Sequence, residues 1–209
     1  MRSIYKIVVC SLLTLSITSC EKDLLEKEQY QKEIYLIGAY NRVWTTEVSY
    51  NNEEVKTYFT VSSSGTLALD RDVNVKMKIN EELVDIYNKK YWTVLNEDKY
   101  YKSLDTDLYS IPSLENTVIK HAEGISAEVP VLIKTASLKI DQSYVIPVEI
   151  ESTTGYPISE SGYKMLILLK LKNDYSGSYQ MSGHTTLEGE TPKTIQKPKT
   201  IKPTGVNTV

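Results

Sequence analysis

Apolar and polar residues alternate along most of this chain. The pattern is cleanest at Val73, Val75, Met77 and Ile79, separated by Asn74, Lys76, Lys78 and Asn80. A period of two predicts a strand with one face in a core and the other in water. Val55, Thr57, Phe59 and Val61 repeat it against Lys56, Tyr58, Thr60 and Ser62. So do Ile125, Ala127, Val129, Val131 and Ile133, and later Tyr144, Ile146, Val148 and Ile150. Pro130 and Pro147 fall on the other face of these last two runs. Because proline lacks the ladder donor, they predict edge or bulged positions. Met165-Leu166-Ile167-Leu168-Leu169 is apolar throughout and predicts an interior strand covered on both faces.

Shorter runs beginning at Ile34 and Val43 bring the number of strand starts to seven. Val43 to Tyr50 and Val55 to Ser62 flank the polar loop Asn51-Asn52-Glu53-Glu54, which has the length of a hairpin connection. One helix is expected after Asn80, which suits an N-cap. Glu81 and Glu82 follow in its first turn and Lys89 and Lys90 stand near its end, as the helix dipole favours. Leu83, Val84, Tyr87 and Tyr91 share a side, so the helix is expected across an open end of a sheet. Trp92 to Asn116 is turn-rich with short β-like pieces such as Tyr109-Ser110-Ile111-Pro112. Seven strands and one short helix predict an all-β fold, an immunoglobulin-like antiparallel β-sandwich.

The first residues follow another rule. Met1 to Ser19 has a basic start at Arg2 and Lys6, an apolar centre over Ile7 to Leu13 and a small-residue exit. That is the layout of a secretory signal peptide, and it is too short to span a bilayer, which takes about 20 apolar residues. Ile17-Thr18-Ser19-Cys20 resembles the bacterial lipobox, which implies cleavage before Cys20 and attachment of lipid to its thiol. The resulting expectation is a protein held at the outer membrane by its acyl chains and not by a spanning helix. Glu21-Lys22-Asp23 is similar to the lysine-plus-acid signal of lipoproteins exported to the cell surface, so surface exposure is the expected placement. The expected divisions are a leader over 1–19, a lipidated tether over 20–33, a sandwich over 34–173, and a linker with the start of a second β domain over 174–209. In that last part Ser178 to Gly183 reads as a new strand, and little after it is apolar.

Composition removes several kinds of chemistry. The formal charge is -3, or -5 once Arg2 and Lys6 leave with the leader, which argues against a nucleic-acid partner, since such partners are held by basic patches. The chain has two cysteines, Cys10 in the leader and Cys20 at the anchor, so the body has no thiol for a disulfide, a nucleophile or a zinc ligand. His121 and His184 are far apart, with no second ligand at a useful spacing. Asp70-Arg71-Asp72-Val73-Asn74 alternates acids as a calcium loop does, but Val75 and Lys76 occupy the places of the required turn. Glu53-Glu54, Glu81-Glu82, and Asp105 with Asp107 are acid pairs. Glycoside hydrolysis, however, needs two carboxyls about 5 to 9 Å apart, and no spacing here demonstrates that. No catalytic residue, cofactor or metal ligand is expected. The chain contains 16 Tyr against 1 Phe and 2 Trp, an excess of amphipathic rings that suits both exposed β-surfaces and stacking on sugars.

Tyr58-Phe59-Thr60-Val61-Ser62, Lys89-Lys90-Tyr91-Trp92-Thr93-Val94-Leu95, Val129-Pro130-Val131 and Ile146-Pro147-Val148 together resemble a known family. It is the domain of unknown function at the N-terminus of many Bacteroidetes surface lipoproteins. The resemblance covers about residues 30 to 175, and the stretch after Ser178 is similar to the start of the family's usual second domain. It implies a setting in polysaccharide utilisation and supplies no catalytic residues. The expected function is a non-catalytic surface lipoprotein that binds or presents glycans, or spaces a glycan-binding domain from the membrane. Trp92, Tyr100 and Tyr101 are the candidate glycan-binding residues, lying in or beside the irregular stretch where binding loops occur. Tyr100 and Tyr101 are adjacent, so only one of them is expected in any flat platform. The alternative is a structural or adhesive component of a surface assembly, joined to other proteins through its edge strands.

Overall fold

The computed structural model describes residues 27–51, 53–186, 188, 191 and 193–209. The leader and Cys20 lie outside the described residues. In chain order the strands are β1 (Ile34–Leu36), β2 (Val43–Ser49), β3 (Glu54–Ser63), β4 (Val73–Ile79), β5 (Lys102–Ser103), β6 (Tyr109–Ser110) and β7 (Thr117–Ile119). They continue with β8 (Ser126–Lys134), β9 (Tyr144–Thr153), β10 (Lys164–Lys172), β11 (Gly177–Thr185) and β12 (Lys193–Ile201). One sheet has the order β1-β3-β8-β6 and the other β2-β10-β9-β4-β7, with β5 beside the start of β9. This is the immunoglobulin plan, with β1, β3, β8 and β6 in the places of A, B, E and D, and β10, β9 and β4 in those of G, F and C. All seven expected strands are present, in a sandwich whose sheets are antiparallel except at β2 and β5.

The period-two pattern explains the core. Phe59, Val61, Val73, Val75, Met77, Val129, Val131, Ile133, Ile146, Val148, Met165, Ile167 and Leu169 all point into one buried cluster between the sheets. β10 is buried on both faces, as its unbroken apolar run predicts. Its other face carries Leu166, which joins Val145 of β9 beneath Leu83 and Val84 of the helix Glu82–Tyr91 in a separate cluster. The helix therefore does not lie across an open end of the sandwich. It covers the outer face of a sheet, because Leu166 and Val145 make that face apolar, and burial of each large aliphatic side chain contributes about 1.5–3 kcal/mol. Asn80 serves the helix start as expected, its side-chain oxygen accepting the Glu82 N–H at 3.2 Å and its carbonyl the Leu83 N–H at 3.2 Å.

The expected hairpin between β2 and β3 does not form, and the two strands belong to different sheets. β2 runs parallel to β10, with Val43 opposite Leu166 and Ser49 opposite Lys172. Without it β10 would have a bare edge, a row of unpaired amides beside the most apolar strand of the protein. β3 is meanwhile paired along its length by β8 and at its end by β1. Thr46 and Thr57 still meet, hydroxyl to hydroxyl, at 2.5 Å.

The prolines also occupy particular places. Leu166 sends its N–H to Arg42 on the β2 side, so Pro147 opposite it turns its nitrogen away from β10. It faces the gap between the end of β4 and the end of β5. Pro147 thus lies in an interior strand, at a break in its neighbours. Pro130, opposite Tyr58, faces the side where β6 covers only Leu132 and Ile133, so β8 is locally an edge there.

The chain changes sheets between β1 and β2 in a single tight turn. Gly38 has φ 91°, and a β-carbon there would lie 2.6 Å from Trp44 Cε3. Both the backbone and the indole demand glycine. Gly38→Ala is expected to lower stability by roughly 2 kcal/mol or more, read from the urea midpoint. Gly124→Ala is the control: it has φ 136° but nothing within 4 Å of the added carbon, so its cost is expected to be the smaller of the two.

Candidate functional site

A cleft of about 430 Å³ opens where three segments meet: the turn after Gly38, the first turns of the helix and the start of β10. The turn contributes Tyr40 and Arg42, the helix Ile86 and Tyr87, and the approach to β10 contributes Glu160 and Lys164. Leu83 and Tyr87 are four residues apart, so a helix that seats Leu83 on the sheet presents Tyr87 along the same flank. Tyr40 is 64% exposed and Ile86 55% exposed, which leaves the apolar rim open to solvent.

Tyr87 is fixed by its neighbours. Its ring stacks on Tyr101, with centroids 5.2 Å apart and planes 11° from parallel, and Tyr91 leans against it at 4.5 Å. Burial, followed by the nearby Tyr101, raises the pKa of the Tyr87 hydroxyl, so it keeps its proton. Tyr101 is held in turn by the helix. Asn88 is only 4% exposed; its amide donates to the Tyr101 carbonyl at 2.8 Å and its oxygen accepts the Tyr101 N–H at 2.9 Å.

Arg42 is the only non-glycine among the described residues with positive φ, at 63°. An L-residue in that region costs about 1–2 kcal/mol. Its backbone is clamped at both ends, the N–H on the Ala39 carbonyl at 2.8 Å and the carbonyl under the Leu166 N–H at 2.8 Å. No described residue gives its guanidinium a side-chain hydrogen bond or an ion pair, and the same holds for the Glu160 carboxylate. The Lys164 ammonium lies 4.8 Å from the Tyr163 ring centroid and pairs with no described acid.

The three residues expected from sequence occupy different environments. Tyr101 lies in the ring stack, underneath Tyr87. Trp92 ends the helix, with Lys99 Nζ 5.6 Å from its ring centroid and its indole N–H buried without a partner. Tyr100 is half-buried where the following 3-10 turn ends. Among them only Tyr101 adjoins the cleft, through Tyr87. Tyr40, Arg42, Tyr87 and Glu160 were not singled out by sequence reasoning. The available signal was Tyr87 on the helix's apolar face; nothing local marked the others, because three distant segments meet there.

The remaining candidates take ordinary structural roles. Asp70 accepts from the Arg71 guanidinium and from the Tyr156 hydroxyl, which hold its pKa far below the usual carboxylate range. Asp72 accepts from the ring and backbone of His121, and its pKa is lowered by them. The calcium-loop pattern is thus spent on turns around β4. Asp105 and Asp107 line a second, polar hollow of about 630 Å³ with Asp141, Lys102 and Lys139. His184 faces Thr194 across the β11–β12 pair. β12 went unrecognised in the sequence because Lys193 to Ile201 carries Pro198 and three lysines; it is ordered by backbone pairing with β11. Asn173, buried where the sandwich ends, donates to the carbonyls of Gly205 and Thr208 at 2.7 and 2.8 Å.

The fold is an immunoglobulin-like sandwich followed by the antiparallel β11–β12 pair. A family model described as an N-terminal domain matches residues 30–157, and its companion, described as C-terminal, matches residues 163–209. The chain belongs to this two-part family, as its sequence resemblance indicated. No curated protein matches it. Among solved structures, a Bacteroides ovatus protein of unknown function is 19% identical, with a TM-score of 0.63 over 85% of this chain and 60% of that one. An auxiliary nutrient binding protein from Bacteroides thetaiotaomicron is 16% identical, with a TM-score of 0.54 over 79% and 56%. EndoBT-3987 of Bacteroides thetaiotamicron, in a structure with Man5GlcNAc product, is 19% identical, with a TM-score of 0.50 over 69% and 33%. At these identities the likeness is one of fold, and the chain spans 60% or less of the length of each.

The Asn88 clip gives a direct test of how the cleft wall is held. Asn88→Ala leaves the Tyr101 N–H and carbonyl unpaired beneath the helix and is expected to cost about 1–3 kcal/mol. The tyrosine near-ultraviolet circular dichroism should weaken as Tyr101 and Tyr87 lose their stacking. Asn88→Asp is expected to cost at least as much, since a carboxylate would then face the Tyr101 carbonyl.

Proposed function

We propose that this protein is a non-catalytic surface lipoprotein, tethered to the outer membrane through Cys20, whose sandwich domain binds glycans in the cleft between the Gly38–Arg42 turn and the helix. The observation that carries this reading is the cleft's mixture of groups. Tyr40 offers an exposed ring face for a sugar, with the edge of the Tyr87 stack beside it, while Arg42 and Glu160 offer polar groups without side-chain partners among the described residues and Lys164 an ammonium without an acidic one. A pyranose has an apolar face and a rim of hydroxyls, and an amphipathic ring beside free donors and acceptors matches both. The neighbours described as an auxiliary nutrient binding protein and as EndoBT-3987 with a Man5GlcNAc product add support for a glycan setting.

A binding role fits this cleft better than hydrolysis. Its lining contains one carboxylate, Glu160, whereas glycosidases of the common type use two. The alternative of docking through strand edges is limited at β6 and β7, which have two and three residues, while β2 offers a seven-residue outer edge. Short edges are a device that limits chain addition.

Screening the protein on a glycan array, then measuring affinity for the best ligand, tests the reading. Tyr40→Ala removes an exposed ring and is expected to weaken binding roughly tenfold, about 1.4 kcal/mol, with the urea midpoint unchanged. If replacing Trp92, Tyr100 and Tyr101 together with alanine abolishes binding in a folded protein while Tyr40→Ala has no effect, the site lies at the end of the helix and not in the cleft.

A further inference from the structure

The chain keeps Arg42 where glycine would be favoured. The turn between the sheets already uses Gly38 for its first positive φ, and four residues later it returns to the left-handed side with an arginine. Strained non-glycine backbone of this kind concentrates at binding sites, where the side chain is needed in one place. The guanidinium lines the cleft, and no described residue supplies an acid within ion-pair distance of it. Lys164, at the start of the neighbouring strand β10, has no acidic partner among the described residues either, so the cleft holds two unmatched cations against the single carboxylate of Glu160. This local excess of positive charge occurs in a chain of formal charge -3.

We infer that the cleft is selective for anionic saccharides, sugars bearing a carboxylate or a sulfate ester, with Arg42 gripping the anion and Tyr40 and Tyr87 flanking the ring. This inference rests on the glycan-binding reading above and adds the substrate class. Arg42 presents a planar fork of donors that pairs two-pronged with a carboxylate or sulfate, and Lys164 adds a point charge from the neighbouring strand. Glu160 is left to accept hydroxyl protons of the sugar.

The test uses the protein and three probes: a galacturonate tetrasaccharide, a sulfated galactose tetrasaccharide and a neutral galactose tetrasaccharide. Calorimetry is expected to show at least one anionic probe binding tenfold or more tighter than the neutral one, with affinity falling as salt rises. The stronger of the two anionic probes identifies carboxylate or sulfate as the natural group. Arg42→Gly is the informative variant, because it removes the guanidinium while relieving the backbone. It is expected to lose tenfold or more in anionic affinity, a larger factor than it loses for the neutral probe, with thermal stability equal to or above that of the parent. Lys164→Gln is expected to lose a smaller factor. If all three probes bind equally and Arg42→Gly changes nothing, selectivity for anions is overturned while glycan binding stands. If no probe binds and the glycan array is also blank, both fail.

Discussion

The open edge of β10 is the constraint on which the rest of this structure depends. β10 is the most apolar strand, needed on one face by the core and on the other by the helix, and β9 pairs only one of its sides. Some other strand has to take the remaining row of amides, and the segment that does so is β2. That requirement draws the chain out of the β1–β3 sheet within a few residues, and Gly38 makes the turn possible by tolerating positive φ against the Trp44 ring.

The same manoeuvre builds the cleft. The turn must stand off the sheet to cross it, and the helix, seated by Leu83 and Val84 on Val145 and Leu166, forms the facing wall. The apolar floor of the cleft, Leu83 on Leu166, holds the helix wall, while the polar side chains at its mouth hold neither wall. The turn is fixed by backbone bonds at Ala39 and Leu166, and the helix wall by the Asn88 clip on Tyr101. Arg42 and Glu160 are therefore released from structural duty, and Tyr40, whose ring leans on that of Tyr35, keeps most of its surface open to a ligand.

Much of the fold was legible because a half-buried strand writes its burial every second residue. Val73 to Ile79 and Met165 to Leu169 could be read directly as one-sided and two-sided strands, and Asn80 with the following acids located the helix. Pairing was less legible. A four-residue polar loop after Tyr50 has the length of a hairpin, and only the distant demand of β10 for a partner shows why β2 goes elsewhere. β6 was read only as a short β-like piece, and β5 and β7 were not counted as strands, because two or three residues carry no period. The cleft was the least legible part. Tyr40, Tyr87 and Glu160 are scattered over more than a hundred positions, and the strain at Arg42 is a property of its backbone that no side-chain pattern encodes.

The closed edge of β10 and the cleft beside it both trace to this strand exchange, so its stability is the point to measure. Amide hydrogen exchange by nuclear magnetic resonance would follow Leu166 and Tyr50, whose N–H groups donate to the Arg42 and Lys172 carbonyls at the two ends of the β2–β10 pair. The account predicts that both exchange as slowly as the amides that join β9 to β10, opening only with the whole sandwich. Exchange of Leu166 and Tyr50 at loop rates, with β9 and β10 still protected, would contradict it.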